Sequence, residues 1–369
     1  MTEHPFLLYD PTVYAVRQHY EIVFFTQEPG AAWVLVEGRR YTDQMCGVVR
    51  SDTCSHHVCI PTEALDRAGG YTVCYALIPE RHSYFPKTEQ IFTAEYPFRA
   101  LPDGEIHVYM LADTHSHVEE PVAVSRYFGE APDLLILGGD NGNTASNPDS
   151  VLTMTKLASA ITHGTIPVIY MRGNHDTRGA YAEHLPEYVG TDRGNTFFPF
   201  RLGRLWGVVL DAGEDKTDDH AEYGDIADYT AFREEQTEML REIPQQGTGQ
   251  ERLTESGTPV RLALCHIPFQ VIETPFPEVF DRWTAELNRI GIDLMLSGHC
   301  HRLDYVEAGT VTHGTVTPEF PVAIGSRIDR KDLSSYAGTA LIIGQDSVTV
   351  RYTDMEMRVL DEHIVRLKR

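Results

Sequence analysis

Five short polar clusters, each following an apolar strand-length run, hold most of the chemistry open to this chain. They are Ala112-Asp113-Thr114-His115, Gly138-Gly139-Asp140-Asn141-Gly142-Asn143, Gly173-Asn174-His175-Asp176, Cys265-His266-Ile267-Pro268 and Ser297-Gly298-His299-Cys300-His301. Taken singly, each is ordinary, because Asn, Asp and Gly favour turns and a lone strand-end histidine is commonly structural. Taken together, they would end five separate strands in imidazoles and carboxylates, a costly concentration of polarity unless the groups share a partner. Imidazole, carboxylate and carboxamide together form a transition-metal donor set, which suits Mn, Fe or Zn better than Ca or Mg. Two such ions ~3.5–4 Å apart lower the pKa of a shared water and clamp phosphoryl oxygens during in-line displacement.

From residue 105 onward, strand-like runs at 106–111, 134–137, 168–170, 205–210, 262–264 and 294–296 alternate with helix-length segments near 119–129, 150–163, 228–242 and 278–290. That alternation predicts an α/β sheet, and such sheets place ligands beyond the carboxyl ends of their strands. All five clusters fall there. A hairpin is expected at 339–343 and 347–352. Residues 1–102 instead read as short β runs, such as 20–25, 32–36, 71–77 and 90–94, punctuated at sandwich-like intervals. The expectation is a small all-β sandwich domain over 1–102, accessory to a catalytic domain over 103–369.

The ordered series D-x-H, G-D-x-x-N, G-N-H-D, H and G-H-x-H resembles the calcineurin-like metallophosphoesterase superfamily across residues 105–305. The β-rich start resembles bacterial members that carry an N-terminal fibronectin III-like or purple-acid-phosphatase-like sandwich. The resemblance implies a four-layer α/β sandwich around a dinuclear metal centre. Carried over by position, Asp113, His115 and His301 hold one ion, Asn174, His266 and His299 hold the other, and Asp140 bridges them. It also implies a bridging hydroxide as nucleophile, with His175 as general acid and Asp176 steadying its imidazole. Purple acid phosphatases carry a ligand Tyr three residues after the bridging Asp, where this chain has Asn143, and D-x-G where it has Asp113-Thr114-His115. The purple ferric tyrosinate is therefore not expected. Arg178 is a candidate for a phosphate oxygen, and Arg172 for a supporting or packing role. The polar loop 211–224 resembles one in the bacterial enzymes and offers His220 and Tyr223 as substrate-wall candidates.

The 369 residues carry a formal net charge of −23, with 42% hydrophobic, 10% aromatic and 23% charged residues. That charge disfavours nucleic acid and anionic membrane surfaces and leaves a phosphorylated small molecule as the expected partner, bound beside cations. No apolar run approaches the ~20 residues of a membrane span. The start MTEHPFLLYD lacks a basic segment before an apolar core, and the six cysteines are scattered, so a cytoplasmic location is expected. Self-association into a homo-oligomer is left open, as is monoester against diester. The alternative is a carbohydrate- or protein-binding adhesion module on a vestigial phosphoesterase fold. The complete set of clusters counts against it.

Overall fold

Short apolar runs buried on both faces form the centre of the molecule. The structure, a computed structural model, describes residues 4–80, 82–84, 88, 90–129, 131–244, 259–325 and 331–368. The first strands are β1 (Thr12–Val16), β2 (His19–Phe25), β3 (Gly30–Val36), β4 (Arg39–Thr42), the two-residue pair β5 (Gln44–Met45) and β6 (Val48–Val49), and β7 (Ser55–Pro61). Helix α1 (Thr62–Ala68) then precedes β8 (Gly70–Leu77) and β9 (Gln90–Pro97). Next come β10 (Ile106–Leu111), α2 (Glu119–Val124), β11 (Leu134–Leu137), α3 (Pro148–Thr162), β12 (Pro167–Tyr170), β13 (Phe198–Leu202) and β14 (Leu205–Leu210). They are followed by α4 (Tyr229–Glu242), β15 (Val260–Cys265), α5 (Pro277–Ile290), β16 (Leu294–Ser297), β17 (Asp304–Val306) and β18 (Val322–Ile324). The last elements are β19 (Ala337–Ile343), β20 (Ser347–Asp354) and β21 (Val359–Arg366).

Two large sheets result. One runs β21-β20-β19-β10-β11-β12-β1-β2-β7 and the other β13-β14-β15-β16-β18-β17, while β4-β3-β8-β9 form a smaller sheet. Strands β10, β11 and β12 are parallel, as are β14, β15, β16 and β18. Alternate residues of the six-stranded sheet sort to opposite faces, as the two-residue strand period requires. Val209, Leu262, Leu264, Leu294 and Leu296 share a core with the nine-stranded sheet. Val208, Leu210, Ala263, Cys265 and Met295 pack instead with Leu240 of α4 and Phe280, Trp283 and Leu287 of α5. The outcome is the expected four-layer α/β fold with N-terminal β sheets added.

The helices start and stop where local chemistry dictates. The side chain of Asn147 caps α3 by accepting from Ser150 N at 3.0 Å, with Pro148 in the first turn. Pro277 opens α5 and Gly291, at φ 82°, closes it. Among the described residues no helix is long and apolar enough to cross a membrane.

The N-terminal segment is β-rich as expected, with one short helix, but its strands do not stand apart from the central sheet. Strand β1 pairs in parallel with β12 (Val13 opposite Pro167, Tyr14 opposite Val168), and β2 and β7 extend the sheet beyond it. The sheet thus runs across the expected 102/103 division. The physical reason is that β12 is wholly buried and its backbone groups need a partner on each side. β1, with all five residues buried, reads as an interior strand.

Candidate metal centre

The five clusters meet at one edge, just past the carboxyl ends of β10, β11, β12, β15 and β16. Asp113, His115, Asp140, His299 and His301 all adopt left-handed backbone, at φ 53°, 44°, 51°, 70° and 51°. Such conformations are strained for residues with a Cβ and concentrate at functional sites. Backbone hydrogen bonds lock the turns together: Asp113 N donates to Gly139 O at 2.9 Å, His115 N to Asp140 O at 3.0 Å, and Gly298 N to His266 O at 3.0 Å. Two glycines make this convergence possible. A Cβ on Gly139, at φ 87°, would lie 2.5 Å from His266 Nδ1, and one on Gly173 would lie 2.2 Å from Asp140 N.

The ligand-type side chains form two groups, Asp113 with His115 and His301, and Asp140 with His266 and His299; within each group the donor atoms lie within 4.8 Å of one another. In the first, His115 Nε2 is 3.2 Å from His301 Nε2, and His301 Nε2 is 3.4 Å from Asp113 Oδ1. In the second, His266 Nδ1 donates to Gly138 O at 2.7 Å, which turns Nε2 toward Asp140 Oδ2 at 3.3 Å and Asp113 Oδ1 at 4.0 Å. Asn174 joins this group, its Oδ1 3.0 Å from His299 Nδ1. The groups are linked by His299 N, which donates to Asp113 Oδ2 at 2.9 Å. Burial opposes charge on Asp140 and His266 alike, yet each sustains the other. Asp140 is held well below the usual carboxylate range, and His266 is raised to about 10. Burial, then the neighbouring His266, pushes His299 down to about 4. Buried carboxylates converging with imidazoles in this way demand positive charge, and the mixed nitrogen and oxygen donors fit a pair of transition-metal ions.

His175 lies beside both groups, its ring centroid 5.0 Å from that of His115 and its backbone N donating to Asp140 Oδ1 at 2.8 Å. Its imidazole is not held by Asp176. His175 Nδ1 donates to the Asn143 carbonyl at 2.9 Å, and Nε2 accepts from Arg178 Nη1 at 3.1 Å. Asp176 is buried on the other side, accepting from Gly173 N at 3.0 Å, Asp140 N at 3.1 Å, Tyr170 OH at 3.1 Å and Gly142 N at 3.2 Å. Its carboxylate ties the turn after β11 to the turn after β12, so the expectation that it steadies His175 is corrected. Burial and then the nearby Asp140 carboxylate raise Asp176 to about 7, against the pull of those amides.

The model of the calcineurin-like phosphoesterase family matches residues 106–303, more than half of the chain. The chain belongs to this family. No curated protein matches its sequence. Among solved structures, the purple acid phosphatase PPD1 from yellow lupin (Lupinus luteus) seeds is similar with a TM-score of 0.61 and 11% identity, over 96% of this chain and 74% of that one. A structure of PhoD is similar with a TM-score of 0.61 and 10% identity, over 99% and 90%. At such identities the likeness is one of fold, and it extends through the N-terminal β segment.

Two residues to which the sequence reading gave no role also contact the site. Asn143, at the position of the purple enzymes' tyrosine, donates from its side chain to His115 O at 3.1 Å while its carbonyl holds His175. Glu214, beyond the fourth strand of the α/β series, is buried and accepts from Arg178 Nη2 at 2.8 Å and Asn174 Nδ2 at 3.5 Å. The cue was the polar Asp211-Ala212-Gly213-Glu214 at the end of β14, which matches the other strand ends in kind. Arg172 pairs with Asp211 at 2.6 Å. His220 and Tyr223 serve their own loop: His220 Nδ1 accepts from Glu222 N at 3.3 Å, and Tyr223 OH accepts from Lys216 N at 3.3 Å. Among the described residues neither hydrogen-bonds to a member of the two groups.

Proposed function

We propose that the protein hydrolyses a phosphate mono- or diester of a small molecule at a dinuclear centre of Mn, Fe or Zn. The observation that supports this most directly is the meeting of Asp113, His115, His301 with Asp140, Asn174, His266, His299 at one sheet edge. Asp113, His115 and His301 would hold one ion, Asn174, His266 and His299 the other, with Asp140 between them. Such a pair supplies Lewis acidity and a water of lowered pKa. The residues around it do the rest. His175 is the general acid for the leaving oxygen, and Arg178 Nη1, now bonded to His175 Nε2, is the donor available to a phosphoryl oxygen. Transfer of Nη1 to the substrate frees Nε2 to take up a proton from solvent, and the resulting imidazolium gives that proton to the leaving oxygen and returns to the Nδ1–H form. Asn143 O keeps the ring oriented throughout. The net charge of −23 favours a small substrate over nucleic acid.

The test is a substrate panel on metal-stripped protein resupplied separately with Mn, Zn, Fe or Mg. It spans p-nitrophenyl phosphate, bis-p-nitrophenyl phosphate, cyclic nucleotides, nucleotides and phosphopeptides. Metal-dependent release of phosphate or alcohol from at least one class is expected. Silence with every metal, from protein that binds metal normally, contradicts the proposal.

A further inference from the structure

We propose that Glu214 is a positioning residue that holds Arg178 as the phosphoryl clamp and at the same time sets the orientation of the Asn174 amide. The inference rests on the phosphoesterase reading and deepens it by naming what fixes the anion-binding side of the site.

The carboxylate of Glu214 is 1% exposed in an otherwise acidic, largely solvated loop. A buried carboxylate requires charged or hydrogen-bonding partners, and these are specific. Oε1 accepts from Arg178 Nε; Oε2 accepts from Arg178 Nη2 at 2.8 Å and Asn174 Nδ2 at 3.5 Å. The pair with Arg178 is a fork, which fixes the plane of the guanidinium as well as its distance. It leaves Nη1 as the edge directed at His175 Nε2, on a side chain that is 33% exposed and so open to a ligand. Drawing Asn174 Nδ2 toward Glu214 also turns Oδ1, the atom able to ligate a metal, toward His299 Nδ1.

The backbone that presents Glu214 is itself clamped. Arg233, buried on α4, donates from Nε to Ala212 O and from Nη2 to Glu214 O, both at 2.8 Å. Gly213 turns through φ 68° where a Cβ would lie 2.3 Å from Tyr229 Cδ1, and its N donates to Asp211 Oδ1 at 2.8 Å. The end of β14 therefore delivers one carboxylate to the site with little freedom. Rigid support of this kind is what a clamp residue needs to hold an oxyanion in one pose.

The test is binding of inorganic phosphate to the Mn-loaded protein by calorimetry, alongside metal content and kcat/KM for p-nitrophenyl phosphate. Glu214→Gln breaks the fork, and Arg178→Lys removes the guanidinium but keeps the charge. At saturating Mn each is expected to weaken phosphate about 10–100-fold, the usual cost of losing a supporting hydrogen-bond partner; Arg178→Lys should keep wild-type metal affinity, whereas Glu214→Gln, which also frees the Asn174 amide, should lower it. The double variant should be within about threefold of Arg178→Lys alone, because the two residues act as one unit. Glu214→Asp, which keeps the charge but shortens the reach, should weaken phosphate by about tenfold and keeps the proposal testable if Glu214→Gln does not fold. Wild-type phosphate affinity in Glu214→Asp with only a lowered melting temperature would overturn it, as would losses that multiply in the double variant at saturating Mn, or a loss in Arg178→Lys that follows loss of metal. Binding is read without turnover, so a wild type that binds phosphate yet hydrolyses no ester defeats the phosphoesterase reading without touching the Glu214 comparison.

Discussion

At His175 the two ring nitrogens face different neighbours, a carbonyl at Nδ1 and a guanidinium at Nε2. The carbonyl fixes the tautomer, and the guanidinium occupies the nitrogen that a leaving group would approach. The general-acid role proposed for His175 makes a sharp prediction. His175→Asn should retain wild-type metal content and lose about 10²–10⁴ in turnover on alkyl phosphates. The loss should shrink on p-nitrophenyl phosphate, whose leaving group departs unprotonated. Asp176→Ala should do the reverse. It strips the acceptor from the amides of Gly173, Asp140 and Gly142, each worth about 1–3 kcal/mol when left buried and unpaired. Denaturation should therefore show a large loss of stability, and activity should fall alike on both substrates. A stable Asp176→Ala protein with the His175→Asn pattern would return Asp176 to the imidazole. The adjacency in Asn174-His175-Asp176 was legible in the sequence, but the side to which each side chain turns was not. That depends on the short 3₁₀ turn at His175–Thr177, which sends Asp176 inward.

The elements that carry the centre were largely readable, because their periods are strong. The run 134–137 is wholly buried, and helices α3, α4 and α5 lie within a residue or two of the expected segments. β1, β7, β13, β18 and β21 were not among the expected runs. Thr12–Val16 is five residues long with no alternation, and β7 opens on the polar Ser55-His56-His57, which masks its strand character. Those histidines explain themselves in the fold. His57 Nδ1 lies 2.8 Å from Glu21 Oε1 and Nε2 lies 2.8 Å from Glu187 O, so both nitrogens face acceptors and the imidazolium is favoured. Burial alone would lower the His57 pKa; the Glu21 carboxylate and the Glu187 carbonyl outweigh it and raise it. A histidine raised on folding stabilises fully below its unfolded value near 6.5, and the contribution fades as pH rises through the folded value. Chemical denaturation of wild type and His57→Gln should accordingly differ more at pH 5.5 than at pH 9. A difference that grows with pH would reverse the sign and refute the assignment. Glu214 was missed for another reason: its partners come from a different strand end, so only the folded sheet edge brings them together.

Across the whole molecule, the nine-stranded sheet is built from both ends of the chain around the α/β core. β1, β2 and β7 flank one side of the parallel trio, and β19, β20 and β21 flank the other. Removing residues 1–102 would uncover the backbone edge of β12 and the apolar surface that Val13, Tyr14, Ile22 and Phe24 bury, an invitation to aggregation. A chain beginning at residue 103 should therefore be insoluble or misassembled by size-exclusion chromatography and circular dichroism. A monomeric, folded product with full metal content would show instead that the N-terminal strands are accessory after all. The measurement that bears most directly on the dinuclear account is a titration of metal-stripped, full-length protein with Mn, Zn or Fe, read by elemental analysis and by hydrolysis of an activated phosphate ester. Two ions per chain would lower the pKa of a shared water and clamp the phosphoryl group between them. The account predicts that bound metal saturates at about two equivalents and that activity rises with the second of them. Saturation at a single equivalent, with activity already complete, would contradict it.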